Sequence, residues 1–197
     1  MNESQPDFTT KPRLASQSIL LRPFEMADSD ALLAILAEPE VNRLTGSVGT
    51  SAEAQRQLSA DEVKRIRHWY ESRNQQTDRL DLVIYSQEQQ AVVGEVVINE
   101  WDANSNSANY RILIGEKGRN QGIGQTATAL LVAYAFEYLK LNRLELEVFS
   151  FNPRARHVYQ KSGFVYEGTR REAFKFDDQW VDSECYAMLA SDYLKLK

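Results

Sequence analysis

Gly118-Arg-Asn-Gln-Gly-Ile-Gly124 stands between an apolar run and a long amphipathic segment of this 197-residue chain. Glycines let backbone N–H groups approach an anion closely, and a helix start adds unpaired donors and a partial positive charge. With Arg119 as a permanent cation, the segment reads as a pyrophosphate site. A second group of residues suits proton transfer. In Leu144–Phe149 (LELEVF), Glu145 and Glu147 share one face of a strand while Leu144, Leu146 and Val148 share the other. Glu95 and Glu100 lie on the preceding antiparallel strand. Carboxylates on strands of a sheet covered on both faces call for an explanation, and service as a general base is one. Tyr159 offers a phenol that can give a proton. The single Cys185 cannot form an internal disulfide, and His68 and His157 are isolated. No spacing suggests a metal site.

Two cofactor classes could use the glycine loop. Gly122-x-Gly124-x-x-Ala127 matches a dinucleotide fingerprint, with Glu145 about twenty residues further on. That fingerprint sets its glycines in a tight turn directly after a strand, whereas Gly115–Gln121 intervene here. It also needs repeated β-α-β units, and the rest of the chain is too short and too rich in antiparallel strand.

The elements that must position these residues follow from periodicity and turn chemistry. Ser18–Phe24 reads as a first strand and Asp28–Ala37 as a helix that Pro39 stops. Ser51–Arg73 is a second helical stretch, with Leu58, Ile66, Trp69 and Tyr70 as its buried stripe and Lys64, Arg65, Arg67 and Arg73 as a solvated face. Leu80–Ser86 and Ala91–Trp101 form a hairpin across Gln87–Gln90, and Gly94 marks a bulge or a close backbone approach. The turn-rich Asp102–Asn109 leads to a strand at Tyr110–Ile114. Gly122–Tyr138 is a helix with apolar residues at 123, 127, 130, 131, 134 and 138, and Leu144–Phe149 is a strand. Asn152 and Pro153 cap a short helix that ends at Gly163. Strands Phe164–Phe176 and Trp180–Leu189 close the chain around Asp177–Gln179. The expected class is α+β: a mixed, mostly antiparallel twisted sheet with helices on both faces and a central β-α-β unit.

The length suits one domain, here 17–190, between a flexible leader over 1–16 and a tail over 191–197. A net charge of −5 argues against a nucleic-acid binder. No apolar run approaches the ~20 residues of a membrane span. One cysteine fits a reducing compartment, hence the cytoplasm.

Arg119-Asn-Gln-Gly122-Ile-Gly124 resembles the R/Q-x-x-G-x-G/A coenzyme A loop of the GNAT superfamily of acetyltransferases. Asn152-Pro-Arg-Ala155-Arg-His-Val-Tyr159-Gln-Lys-Ser-Gly163-Phe164 resembles its second signature, N-x-x-A-x-x-x-Y-x-x-x-G-F. Leu21-Arg22-Pro23-Phe24 and Tyr166-Glu-Gly168 resemble the branch that contains ribosomal-protein N-terminal acetyltransferases and spermidine acetyltransferases. The resemblance implies acetyl-CoA as cosubstrate and no metal. Its pantetheine arm would lie along Ile112, Leu113 and Ile114, and its pyrophosphate on Arg119, Asn120, Gln121, Gly122, Ile123, Gly124 and Gln125. Asn152 and Ala155 would touch it from the second signature. Tyr159 takes the general-acid position, and Glu147, in an L-E-V pattern, the base, with Glu95 and Glu100 as rivals. The branch favours a protein N-terminal amine as acceptor, with a polyamine or other small amine next, and a homodimer is a family-level expectation. A CoA-binding module without turnover is the alternative from another class.

Overall fold

Runs of β-branched and aromatic residues separated by turn formers pair here into one sheet. The structure, a computed structural model, describes residues 5–197. Among these residues the strands are β1 (Leu14–Ala15), β2 (Ile19–Arg22), β3 (Leu80–Ser86), β4 (Ala91–Asp102), β5 (Ser107–Ile114), β6 (Arg143–Phe149), β7 (Val165–Phe176) and β8 (Gln179–Leu189). Their spatial order is β1-β2-β3-β4-β5-β6-β8-β7, and only β5 and β6 run parallel. β7 is one edge, and its register with β8 breaks twice, between Tyr166 and Gly168 and between Arg170 and Phe174.

The helices are α1 (Ser29–Leu36), α2 (Pro39–Thr45), α3 (Ser51–Ala54), α4 (Ala60–Arg73), α5 (Ile123–Glu137), α6 (Pro153–Lys161) and α7 (Ala190–Lys195). α5 makes the crossover between the parallel strands. Its Ala127, Leu131 and Ala135 pack into the main core with Leu82, Val96 and Ile98 of the sheet. On the opposite face Leu32 of α1 and Tyr70 of α4 pack against Phe24 and Val83. Burial on both faces makes the sheet the middle of three layers. Arg22 leaves the end of β2 and donates two hydrogen bonds to buried Asp28, at 2.7 and 2.8 Å, which fixes the entry to α1.

Several local expectations need correction. Pro39 does not merely stop a helix. It occupies the first turn of α2, where its missing N–H has no intrahelical use. The single helix expected over Ser51–Arg73 is two, because Ser59 starts α4 anew: its hydroxyl accepts from the Glu62 N–H while the Glu62 carboxylate accepts from the Ser59 N–H. Of the expected stripe on α4 only Tyr70 is fully buried, and Trp69 is 39% exposed. Tyr138 lies one residue past the end of α5 and is exposed. Within the expected leader, Phe8 is buried in the core and Lys11 donates to the carbonyls of Phe8, Gln76 and Arg79. Residues 1–4 lie outside the described residues. Most of the expected tail is α7.

Two features open the sheet at its centre. β5 and β6 pair only from Ser107–Asn109 to Arg143–Glu145, and beyond that the strands part. β4 bulges at Val93, with Gly94 beside it. A Cβ on Gly94 would stand 2.2 Å from the Leu113 carbonyl oxygen, so this glycine answers to a close approach of β5.

Candidate active site

The parted strands floor a cleft of about 1020 Å³. One half is walled by β5, the glycine loop and the start of α6. The other is walled by α1, α2 and α4. All the sequence-predicted cofactor residues except Gln121 line this cleft, and Glu147, Glu95 and Tyr159 line it too. Glu100 does not. It sits at the irregular end of β4 with φ 55° and is exposed.

In the first half, Ile112–Ile114 pair on one side with Val96–Gly94, while β6 no longer reaches their other side. Strand backbone groups there are open to a bound chain. The first backbone bond of α5 runs from the Thr126 N–H to the Gly122 carbonyl at 3.0 Å, so the N–H groups of Ile123, Gly124 and Gln125 have no intrahelical acceptor. Gly122 takes φ 74° and Asn120 φ 60°, which turn the chain into the helix. Gly124 has no room for a side chain without displacing Ile114, since an added Cβ would lie 3.1 Å from its Cδ1. These features fit a pyrophosphate and an extended arm.

Arg119, expected to bring a permanent cation to the pyrophosphate, has its side chain engaged within the chain. Its guanidinium donates to Glu38 at 2.8 Å, to Glu40 at 2.6 Å and to the Ile114 carbonyl at 3.0 Å. Its own N–H bonds to the Glu116 carbonyl. The bonds to Glu38 and Glu40 tie the loop to the start of α2. No periodicity could show this, because Glu38 and Glu40 lie about 80 positions away in sequence.

Asn152 caps α6 by accepting from the Ala155 N–H at 3.2 Å. One turn on, Tyr159 is buried with its ring edge-on to Tyr110, centroids 6.1 Å apart. Its hydroxyl meets no hydrogen-bond partner among the described residues and faces a cleft that could receive one. Burial pushes the phenol well above its ordinary range, so it holds its proton at neutral pH.

The carboxylates differ sharply. Glu147 is half exposed, its Oε1 accepts from Arg170 and its Oε2 accepts from the Ser183 hydroxyl at 3.0 Å. Glu95 is 8% exposed, in the middle of β4. Burial pushes its carboxyl up to about 7, and a nearby Asp81 adds to that. The Tyr70 hydroxyl, donating to its Oε2 at 2.9 Å, and the charges of Arg111 and Arg79 act the other way. A carboxyl poised near neutrality beside a cleft is suited to take a proton. The signal for it was present: Glu95 is the one charged residue in Val92-Val-Gly-Glu-Val-Val-Ile98.

A family model described as an acetyltransferase (GNAT) domain matches residues 18–165. A spermidine N(1)-acetyltransferase of Vibrio cholerae is 31% identical over 106 residues, 54% of this chain. The match spans 61% of that relative's length. A probable N-acetyltransferase of Bacillus subtilis, YjcK, is 26% identical over 185 residues, covering 91% of this chain and 98% of the relative. The fold matches the crystal structure of a spermidine N-acetyltransferase from Vibrio cholerae in complex with CoA and spermine, with a TM-score of 0.76. Identity there is 23%, and the match covers 91% of this chain and 99% of that one. Among the described residues no helix is long and apolar enough to cross a membrane, and no group of His, Cys, Asp and Glu could hold a metal ion.

Proposed function

The chain belongs to the GNAT acetyltransferase family, whose members use acetyl-CoA, and on that premise we propose that it acetylates a primary amine by direct attack in a ternary complex, with Glu95 as base and Tyr159 as acid. An alkyl ammonium near pKa ~10 is no nucleophile until it loses a proton. Glu95 takes that proton, directly or through one water. Its burial supplies the basicity, because a carboxylate in ordinary solvation would be too weak a base at neutral pH. Acetyl-CoA, when bound, supplies the activated thioester. The new C–N bond forms as the C–S bond breaks, Tyr159 gives its proton to the departing sulfur, and the second proton shed by the nitrogen returns to the phenol through water. Backbone N–H groups along Ile112–Ile114 stabilise the developing oxyanion, and the start of α5 holds the pyrophosphate.

The observation that carries this reading is Glu95, a buried carboxylate opening on a cleft whose other half suits coenzyme A. Among acceptors, the spermidine acetyltransferases in the family favour a polyamine over a protein N-terminus as the first amine to assay. The test is thermal unfolding with and without acetyl-CoA, with NADH as control, followed by release of free CoA thiol on adding amines. Acetyl-CoA at ~100 times its dissociation constant should add about 2.7 kcal/mol. No rise at saturation, or the same rise with NADH, would end the acetyltransferase reading.

A further inference from the structure

The acceptor half of the cleft holds cations that the proposed chemistry does not use. Arg111 on β5 stands opposite Val97 of β4, so it shares the face that carries Glu95. The two are diagonal neighbours across the strand pair, a spacing of about 7–8 Å that long side chains bridge. Arg111 lines the cleft, is exposed, and meets no carboxylate among the described residues. Its charge is felt at both Glu95 and Tyr159, the proposed base and acid. Arg65 of α4 lines the same half, also without a partner among the described residues. The other arginines of the cleft are engaged: Arg79 with Asp81, Arg119 with Glu38 and Glu40, Arg154 with Glu40.

The carboxylates there are few. Glu147 is neutralised by Arg170, and Glu95 is poised near neutrality. The polycation that the spermidine acetyltransferase relatives make the first amine to assay needs several free carboxylates, and this half of the cleft offers free guanidinium groups instead. Its remaining wall is apolar, with Leu36, Leu44, Ile66, Trp69 and Phe149. We propose that the acceptor is a free α-amino acid with an apolar or aromatic side chain, its amine at Glu95, its carboxylate on Arg111 and its side chain against the α1–α4 wall. The assignment rests on the acetyltransferase reading above and names the substrate class of that same site.

The experiment compares kcat/KM, by CoA thiol release, for L-phenylalanine, L-phenylalaninamide, phenethylamine and spermidine. The amide stands in for a peptide N-terminus and phenethylamine lacks the carboxylate. L-Phenylalanine should exceed each of the others by at least about tenfold, because a site built around an ion pair rejects an analogue that cannot form it. Arg111→Gln should bring the phenylalanine-to-phenethylamine ratio close to one, and Arg111→Lys should keep part of it. Preference for spermidine, equal use of the amide, or a ratio unchanged in Arg111→Gln overturns the assignment. If acetyl-CoA raises the unfolding midpoint but no amine of the panel reacts, the acceptor assignment alone falls. If acetyl-CoA leaves the midpoint unmoved, the acetyltransferase reading falls with it.

Discussion

Glu95→Gln separates stability from catalysis at one atom pair. The carboxyl is raised from 4.5 to about 7, with burial the largest cause. In the unfolded chain that proton is lost near the lower value, and in the folded chain near the higher. Between them the native state holds more protons, so stability falls as pH rises through this window and the full penalty stands above 7. At about 1.4 kcal/mol per pH unit, the penalty is roughly 3 kcal/mol. Glutamine carries no charge and keeps an oxygen for the Tyr70 hydroxyl, which donates to Oε2 in the wild type. The variant should therefore be more stable than wild type at pH 8, with a midpoint higher by roughly 6–12 °C. The advantage should shrink towards zero near pH 5. Its kcat/KM should drop about 10²–10⁴-fold, and the rise in activity centred near pH 7 should disappear. Thermal unfolding and kcat/KM measured from pH 5 to 9 check both. A stability difference of equal size at pH 5 and pH 8, or an intact activity profile, would refute the reasoning, because either means that Glu95 is not a buried titrating base.

Tyr159→Phe keeps the ring against Tyr110 and removes a hydroxyl with no bonding partner among the described residues. It should lower kcat about 10²-fold or more while shifting the unfolding free energy by less than about 1 kcal/mol, and undiminished turnover would exclude the acid role. Glu147→Gln breaks only a half-exposed ion pair, so urea unfolding should register under about 1 kcal/mol. The rise in kcat/KM near pH 7 should stay where it is, and its displacement would hand the base to Glu147. Gly94→Ala forces a methyl onto the Leu113 carbonyl oxygen, where backbone on both sides must yield. It should lose roughly 3 kcal/mol or more in urea unfolding. A wild-type midpoint would show that β5 does not approach β4 as described.

Sequence reading reached furthest where chemistry is local. The Asn152–Pro153 start of α6, the turn at Gly163 and the pairing of the last two strands all depend on neighbours within a few residues. The order of strands around the crossover helix followed from periods of two and near four. What escaped was set by partners far along the chain. Arg119 is spent on Glu38 and Glu40, which no local pattern reports. Glu95 meets the Tyr70 hydroxyl of α4 from 25 positions away, so the burial that sets it apart from Glu147 needed three dimensions. Pro39 was ambiguous in a physical sense, since the same ring ends one helix and begins the next. Trp69 sits on an apolar-looking stripe, yet its ring carries the Arg73 guanidinium at 4.2 Å and meets solvent at the cleft.

The two ends of the sheet bear on how the protein behaves when crowded. A free strand edge is a template on which a foreign chain can add, and long flat edges seed aggregates. At one end the template is β1, two residues long. At the other it is β7, twelve residues long and exposed along nearly all of its length, with Val165 and Tyr166 bare at its start. The two breaks of register described above kink that edge, and Arg170, Arg171 and Lys175 charge it. An incoming strand would meet a few residues of straight ladder, then a bend and charged side chains that must stay hydrated. The interruptions that make β7 look irregular thus make it a poor template for a foreign strand.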